Sequence, residues 1–220
     1  VIKGGFLIAS LLGVDTRLTH DIDTTMVGIS VEPEKLMKVF TENIEPIRDD
    51  DEYSGYRIHF SGLIYNKIKP QFKIDVSTGD RITPREVQYK HHLITENRTI
   101  VIMAYNVETI IAEKLETVIS RGITNTRAKD FYDLYALSKV EKQNINFEQL
   151  RNALINTSEH RGTIKLMSEY NQIFANVEQN NIMIQSWKRY QEAHEFAKYI
   201  NFRETCEAGI ELMNRMEWDG

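Results

Sequence analysis

The spacing of apolar residues changes character once along the chain. Over residues 1–105 it shifts between helical and alternating runs, and beyond 105 it repeats at helical period. Phe6, Leu7, Ile8, Leu11 and Leu12 are apolar at helical spacing, with Gly13 as a stop and Gly4 and Gly5 at the start. A strand is predicted over 21–28. After Glu32-Pro33-Glu34, the residues Leu36, Met37, Val39, Phe40 and Ile44 predict an amphipathic helix that ends near Pro46. Alternation predicts strands over 56–65 and 71–77, a turn follows over 77–80, and 99–104 reads as a short apolar strand. Helices are predicted over 107–121, from Arg127 onward, and over 147–156, 163–177, 182–199 and 203–216. The candidate boundary falls near Tyr105, with Asn144 as a weaker alternative. The fold class read from this is α/β (α+β), a small mixed sheet flanked by helices over 1–105 and a helical part over 106–220.

Several polar residues sit where these elements would expose them to chemistry. Glycines at a helix start let a ligand approach the backbone, and the free N–H groups of the first turn attract phosphate. Asp21 and Asp23 lie two apart on one strand, roughly 6.6 Å between alpha carbons, so both carboxylates can face one metal cluster. The alternative is a pair of acids at a strand edge or cap. Asp75 is an acid in mid-strand, facing away from Phe72, Ile74 and Val76, either as a third carboxylate or as a surface partner of Lys73. The second Asp-x-Asp, Asp49 and Asp51, reads as a solvated loop.

Lys114 falls inside the apolar stripe of its helix, whereas Glu113, Glu116 and Thr117 fall outside it. A buried ammonium needs a partner. Either the side chain snorkels to the edge, in which case Lys114→Met is neutral or stabilising, or it reaches a phosphate. In the next helix Phe131, Leu134, Tyr135 and Ser138 form the inward side. Asp130 lies beside it, and Asp133 lies further out as a capping or salt-bridging acid. Trp187, Tyr190, Phe196, Tyr199 and Phe202 read as core, with a stacking surface for RNA bases as the alternative.

Composition narrows the function classes. At 220 residues the chain can bury a sizeable core. Lys+Arg 27 against Asp+Glu 32 gives a net charge of -5, which argues against general polyanion binding. A nucleic-acid substrate would need a local basic surface, for which Lys67, Lys69, Lys73, Arg81, Arg85, Lys90, His91 and His92 are the candidates. The single cysteine, Cys206, excludes an internal disulfide and offers no zinc motif. The sequence carries no membrane-spanning or targeting pattern, so the cytoplasm is the expected location. It opens without a methionine, and residues upstream of Val1 are expected.

Gly-Gly at a helix start followed by Asp-x-Asp on the next strand resembles the polymerase-β-type nucleotidyltransferases. The set Lys3-Gly4-Gly5, Arg17-x-Thr19-x-Asp21-x-Asp23, Ile-Asp75-Val, Ala112-Glu-Lys114-Leu and Arg127-x-Lys-Asp130-x-x-Asp133-Leu is similar to the AbiEii/AbiGii toxin family of that superfamily. The resemblance implies a nucleotidyltransferase core with the helical part closing the nucleotide cleft. It implies two Mg²⁺ ions on Asp21, Asp23 and Asp75. A nucleoside triphosphate would be held by Lys3, Gly4, Gly5, Thr19 and Lys114, with Asp130 orienting Lys114 or Arg127. It further implies a phage-defence or plasmid-maintenance toxin with a separately encoded antitoxin, and tRNA 3′ ends as acceptor in some members. Two alternatives stand beside it, a transferase acting on a protein or small molecule, and an inactive nucleotide-binding interaction module.

Overall fold

The computed structural model describes residues 1–13, 16–17, 22–27, 44–46, 55–61, 71–93 and 96–218. They form two compact units. One comprises Val1–Val14, Leu18–Asp80 and Glu86–Tyr105; the other comprises Asp15–Arg17, Arg81–Arg85 and Asn106–Gly220.

The first unit is a mixed sheet with one described helix. Its elements are β1 (Ile2–Lys3), α1 (Gly4–Leu12), β2 (Ile22–Met26), β3 (Ile44–Pro46), β4 (Gly55–Ser61), β5 (Gln71–Thr78), β6 (Val87–His92) and β7 (Thr99–Ala104). The strand order is β3-β4-β5-β2-β1-β7-β6. β2 runs parallel to β5, and β1 runs parallel to β7 and antiparallel to β2. Alternation divides the chemistry of the two faces. Ile58 and Val76 form a buried apolar cluster with Met26, Tyr56, Phe60 and Ile74. On the other face, directly opposed residues give one row across adjacent strands, Lys3 opposite Asp23, Asp23 opposite Asp75, and Asp75 opposite Arg57.

Two local expectations fail in this unit. Ile44 begins strand β3 instead of closing a helix, and the expected helix over 36–43 lies outside the described residues. Among the described strands β3 lies at the edge of the sheet, a position that tolerates a proline such as Pro46. Val87–His92, noted in the sequence only for its basic residues, pairs with β7 as a hairpin. Its Tyr89 hydroxyl donates to the Ser10 carbonyl of α1 at 2.8 Å, so an aromatic contact holds a strand whose alternation is masked by Lys90, His91 and His92.

The second unit is helical. Its α-helices are α2 (Val107–Arg121), α3 (Ala128–Val140), α4 (Phe147–His160), α5 (Ile164–Met167), α6 (Tyr170–Glu178), α7 (Asn181–Ala193) and α8 (Phe202–Arg215). α2 starts where the Asn106 side chain accepts from the Thr109 N–H at 2.8 Å, and it ends at Gly122, whose φ of 47° suits glycine. It packs its Ile110, Ile111, Leu115, Val118 and Ile119 face against α3 and α4, while α3 also contacts α7 and α8. Neighbours on several sides bury Tyr132 and Asp133 as well as Phe131 and Leu134, so α3 has no polar face at Asp133. The expected helix over 163–177 is two helices, α5 and α6. That over 182–199 stops at Ala193, because the Gln191 side-chain amide donates to the carbonyls of Lys198 and Ile200 and stabilises a turn. Trp187 and Phe202 are buried as expected, but Tyr199 is 86% exposed and lies outside that core.

Candidate active site

The polar face of the first unit's sheet is built around α1. Gly4, at φ 64°, has no room for a side chain, since a Cβ there would overlap the Asp23 carboxylate. The Gly5 N–H donates to Asp23 Oδ2 at 3.3 Å. Lys3, the residue before the helix, offers no cap of its own, so the carboxylate of a neighbouring strand takes that place. Asp75 stands beside Asp23 in parallel register and is gripped by Arg57, Nε to Oδ1 and Nη2 to Oδ2, both at 2.7 Å. Its partner is therefore Arg57 on β4 and not Lys73.

Next to this row lies a buried aspartate, Asp80, which closes the turn expected over 77–80. The Asp80 carboxylate, 2% exposed, accepts from Lys3 Nζ, Thr25 Oγ1 and Ser77 Oγ, each at 2.6 Å. Burial works against its charge, but Lys3 and the two hydroxyls outweigh that and hold its carboxyl below the ordinary range. Lys3, expected to help hold the triphosphate or to pack beside it, is here the cationic partner of Asp80. Thr25 also shares a hydrogen bond with the Tyr105 hydroxyl at 2.8 Å. Thr19 and Asp21 lie outside the described residues, as do Lys67 and Lys69.

The residues of the row suit a hard divalent cation. Two carboxylates on adjoining strands face one way, and oxygen is the donor such cations prefer. Among the described residues no three His, Cys, Asp or Glu side chains group closely enough to hold a metal ion, and Asp21 falls outside that set.

The second unit holds a buried ion cluster built from three of the sequence motifs. Lys114 Nζ reaches Asp130 Oδ1 at 2.5 Å and Asp133 Oδ2 at 3.0 Å. Arg17 Nε donates to Asp133 Oδ1 at 2.8 Å, and Arg127 Nε lies 3.3 Å from Asp130 Oδ2. Burial would lower the Lys114 pKa, but Asp130 and Asp133 overcome it and raise it above the ordinary lysine value. Burial would likewise raise that of Asp130, and Lys114 with Arg127 pulls it down. Asp133, expected further out as a capping or salt-bridging acid, does form salt bridges, to Arg17 and Lys114, but fully buried ones. Among the described residues, Lys114, Arg17 and Arg127 meet at the two carboxylates of Asp130 and Asp133. Glu116, expected outside the stripe, is also buried, bonded by Arg161 and Thr163.

The residues missed from sequence, Arg57 and Asp80, carry no motif of their own. Their signal was the opposing strand register for Arg57, and for Asp80 a cluster of hydroxyls and one lysine drawn from distant segments. Glycines at a helix start beside a carboxylate row give the first unit backbone N–H groups that suit phosphate next to oxygen donors that suit a hard cation.

Residues 1–204 match the family described as nucleotidyl transferase AbiEii toxin, type IV toxin–antitoxin system. A crystal structure of an antigenic nucleotidyltransferase-like protein from Paracoccidioides brasiliensis is similar at 17% identity and a TM-score of 0.44, over 75% of this chain and 81% of that one. No curated protein matches the chain. With a match that runs through both units, this chain belongs to the AbiEii nucleotidyl transferase toxin family, and it is a nucleotidyltransferase.

Proposed function

We propose that this toxin transfers a nucleoside monophosphate from a nucleoside triphosphate to an acceptor hydroxyl on RNA, with tRNA as the first candidate, and that it needs Mg²⁺. The observation that carries the reading is the lateral pairing of Asp23 with Asp75 beside the Gly4-Gly5 helix start. Asp21, Asp23 and Asp75 would hold the divalent cations, whose chemistry is to stabilise the attacking and leaving oxygens. Gly4 and Gly5 let the phosphates come close to the backbone, and the first-turn N–H groups hold them. Thr19 would add a hydroxyl contact. In the second unit, Asp130 orients Lys114 and Arg127, and Lys114 serves the triphosphate. The type IV toxin–antitoxin description supports a separate antitoxin, and phage defence or plasmid maintenance in the cytoplasm is the role proposed with it. No helix among the described residues is long and apolar enough to cross a membrane.

The test is incubation with each labelled triphosphate, Mg²⁺ and either total RNA or total cell protein. Label in RNA that depends on Mg²⁺ and on Asp23 supports the reading. Label in protein or a small molecule moves the acceptor, and no labelling of any fraction removes transfer.

A further inference from the structure

We infer that Asp80 is a positioning residue of the candidate metal site, holding the Lys3 ammonium away from the Asp23 carboxylate so that a divalent cation can take it. The inference rests on the reading of Asp23 and Asp75 as metal ligands. Lys3 stands directly opposite Asp23 where β1 pairs with β2. Side chains so placed have Cβ atoms roughly 4.5–5.5 Å apart, and opposite charges there attract one another. Here the ammonium turns instead to Asp80 Oδ2 at 2.6 Å and lies 5.8 Å from the centre of the Tyr105 ring, while Asp23 accepts from the Gly5 N–H.

The Asp80 carboxylate is itself fastened in place. The oxygen that takes the ammonium also accepts from the Thr25 and Ser77 hydroxyls, each at 2.6 Å. Thr25 and Ser77 are register partners on β2 and β5, each two residues beyond Asp23 and Asp75. Asp80 is therefore tied to both strands that carry the candidate ligands, one side-chain step along the same face. A buried ion pair is a weak source of stability, since apolar residues of similar volume often serve as well or better. What this pair sets is direction. The cation that faces Asp23 across the ladder is matched by an anion outside the candidate ligands, and Asp23 is left to the metal.

Asp80→Asn keeps the shape of the side chain and an oxygen for the two hydroxyls, but it releases the ammonium to Asp23. With Mn²⁺ as probe, followed by its paramagnetic signal on the full chain without nucleotide, this variant should bind the ion roughly ten-fold more weakly, the lower end of what a neighbouring opposite charge does to a carboxylate's proton affinity. Adding Lys3→Met removes the competitor and should restore wild-type Mn²⁺ binding, which a loss of packing would not allow. The Gly5 amide, which donates to the Asp23 carboxylate, reports the contact itself. Its NMR signal should move in metal-free Asp80→Asn and return in the double variant. Asp80→Ser, which leaves the same ammonium unpaired, stands in where the asparagine variant does not fold. Unchanged Mn²⁺ binding in folded Asp80→Asn overturns the inference, as does a loss that Lys3→Met does not restore or one that leaves the Gly5 signal in place. The parent reading fails separately, if Asp23→Asn binds Mn²⁺ as the wild type does.

Discussion

At Lys114 the sequence and the structure give opposite signs for one substitution. Read as a lone ammonium in an apolar stripe, it should yield to methionine at no cost. With Asp130 and Asp133 on its ammonium, Lys114→Met strips one cation from two buried carboxylates, and breaking a buried pair in this way typically costs about 3–5 kcal/mol. Urea denaturation at neutral pH should register that loss. The pH dependence follows from the shifts. Asp130, held below its usual value, contributes stability above the unfolded carboxyl pKa near ~3.9 and loses it as pH falls through the lower folded value. Lys114, held above its usual value, contributes fully below ~10.4 and loses its contribution only as pH rises through the higher folded value. The gap between wild type and Lys114→Met should therefore be flat through the neutral range and close in acid. A second substitution tests the other unit. Asp21→Asn with Asp23→Asn should abolish transfer and growth inhibition with the fold retained, because an asparagine oxygen at 23 can still accept the Gly5 N–H. Wild-type labelling of an acceptor by the double variant would show that these acids hold no metal.

Elements differ in how much of them a linear sequence encodes. α2 was readable to its ends because each determinant is local, an asparagine cap, an apolar stripe and a terminal glycine. So was the helix start at Gly4. The pairing of Asp75 with Arg57 was not readable, since it comes through strand register, which distant segments decide together, whereas Asp75 beside Asp23 was expected only through the family resemblance. For the same reason Asp133 looked peripheral on a helical wheel, where α7 and α8 are invisible, and Arg17 gave no hint of its partner 116 residues away. The α6–α8 contact makes this testable. Gly209 lies on a helix whose Asn201–Glu204 capping box needs no glycine, yet a Cβ at 209 would overlap the Phe174 ring. On helix propensity alone Gly209→Ala should stabilise by about 1 kcal/mol. The overlap reverses this, and thermal unfolding should show a net loss of roughly 1–3 kcal/mol, the usual cost of overpacking.

For the whole molecule, a net charge of -5 means that RNA, if it is the acceptor, is captured locally and against the average field. Lys90→Glu and, separately, Arg81→Glu should each raise the acceptor KM and flatten its salt dependence while the triphosphate KM stays put. Equal effects on both substrates would assign the residue to the nucleotide or to the fold. Cys206 has a different use. It is the only cysteine in the chain, fully buried on α8, and burial pushes its thiol up to about 12. A thiol in that state is inert to alkylating reagents until the helix around it opens, because the thiolate is the reactive form. The rate at which Cys206 takes up a maleimide should thus follow the opening of the helical unit alone, rising in denaturant with the exposure of α8. The protein carries its own chemical clock for one of its two units, and no label needs to be engineered to read it.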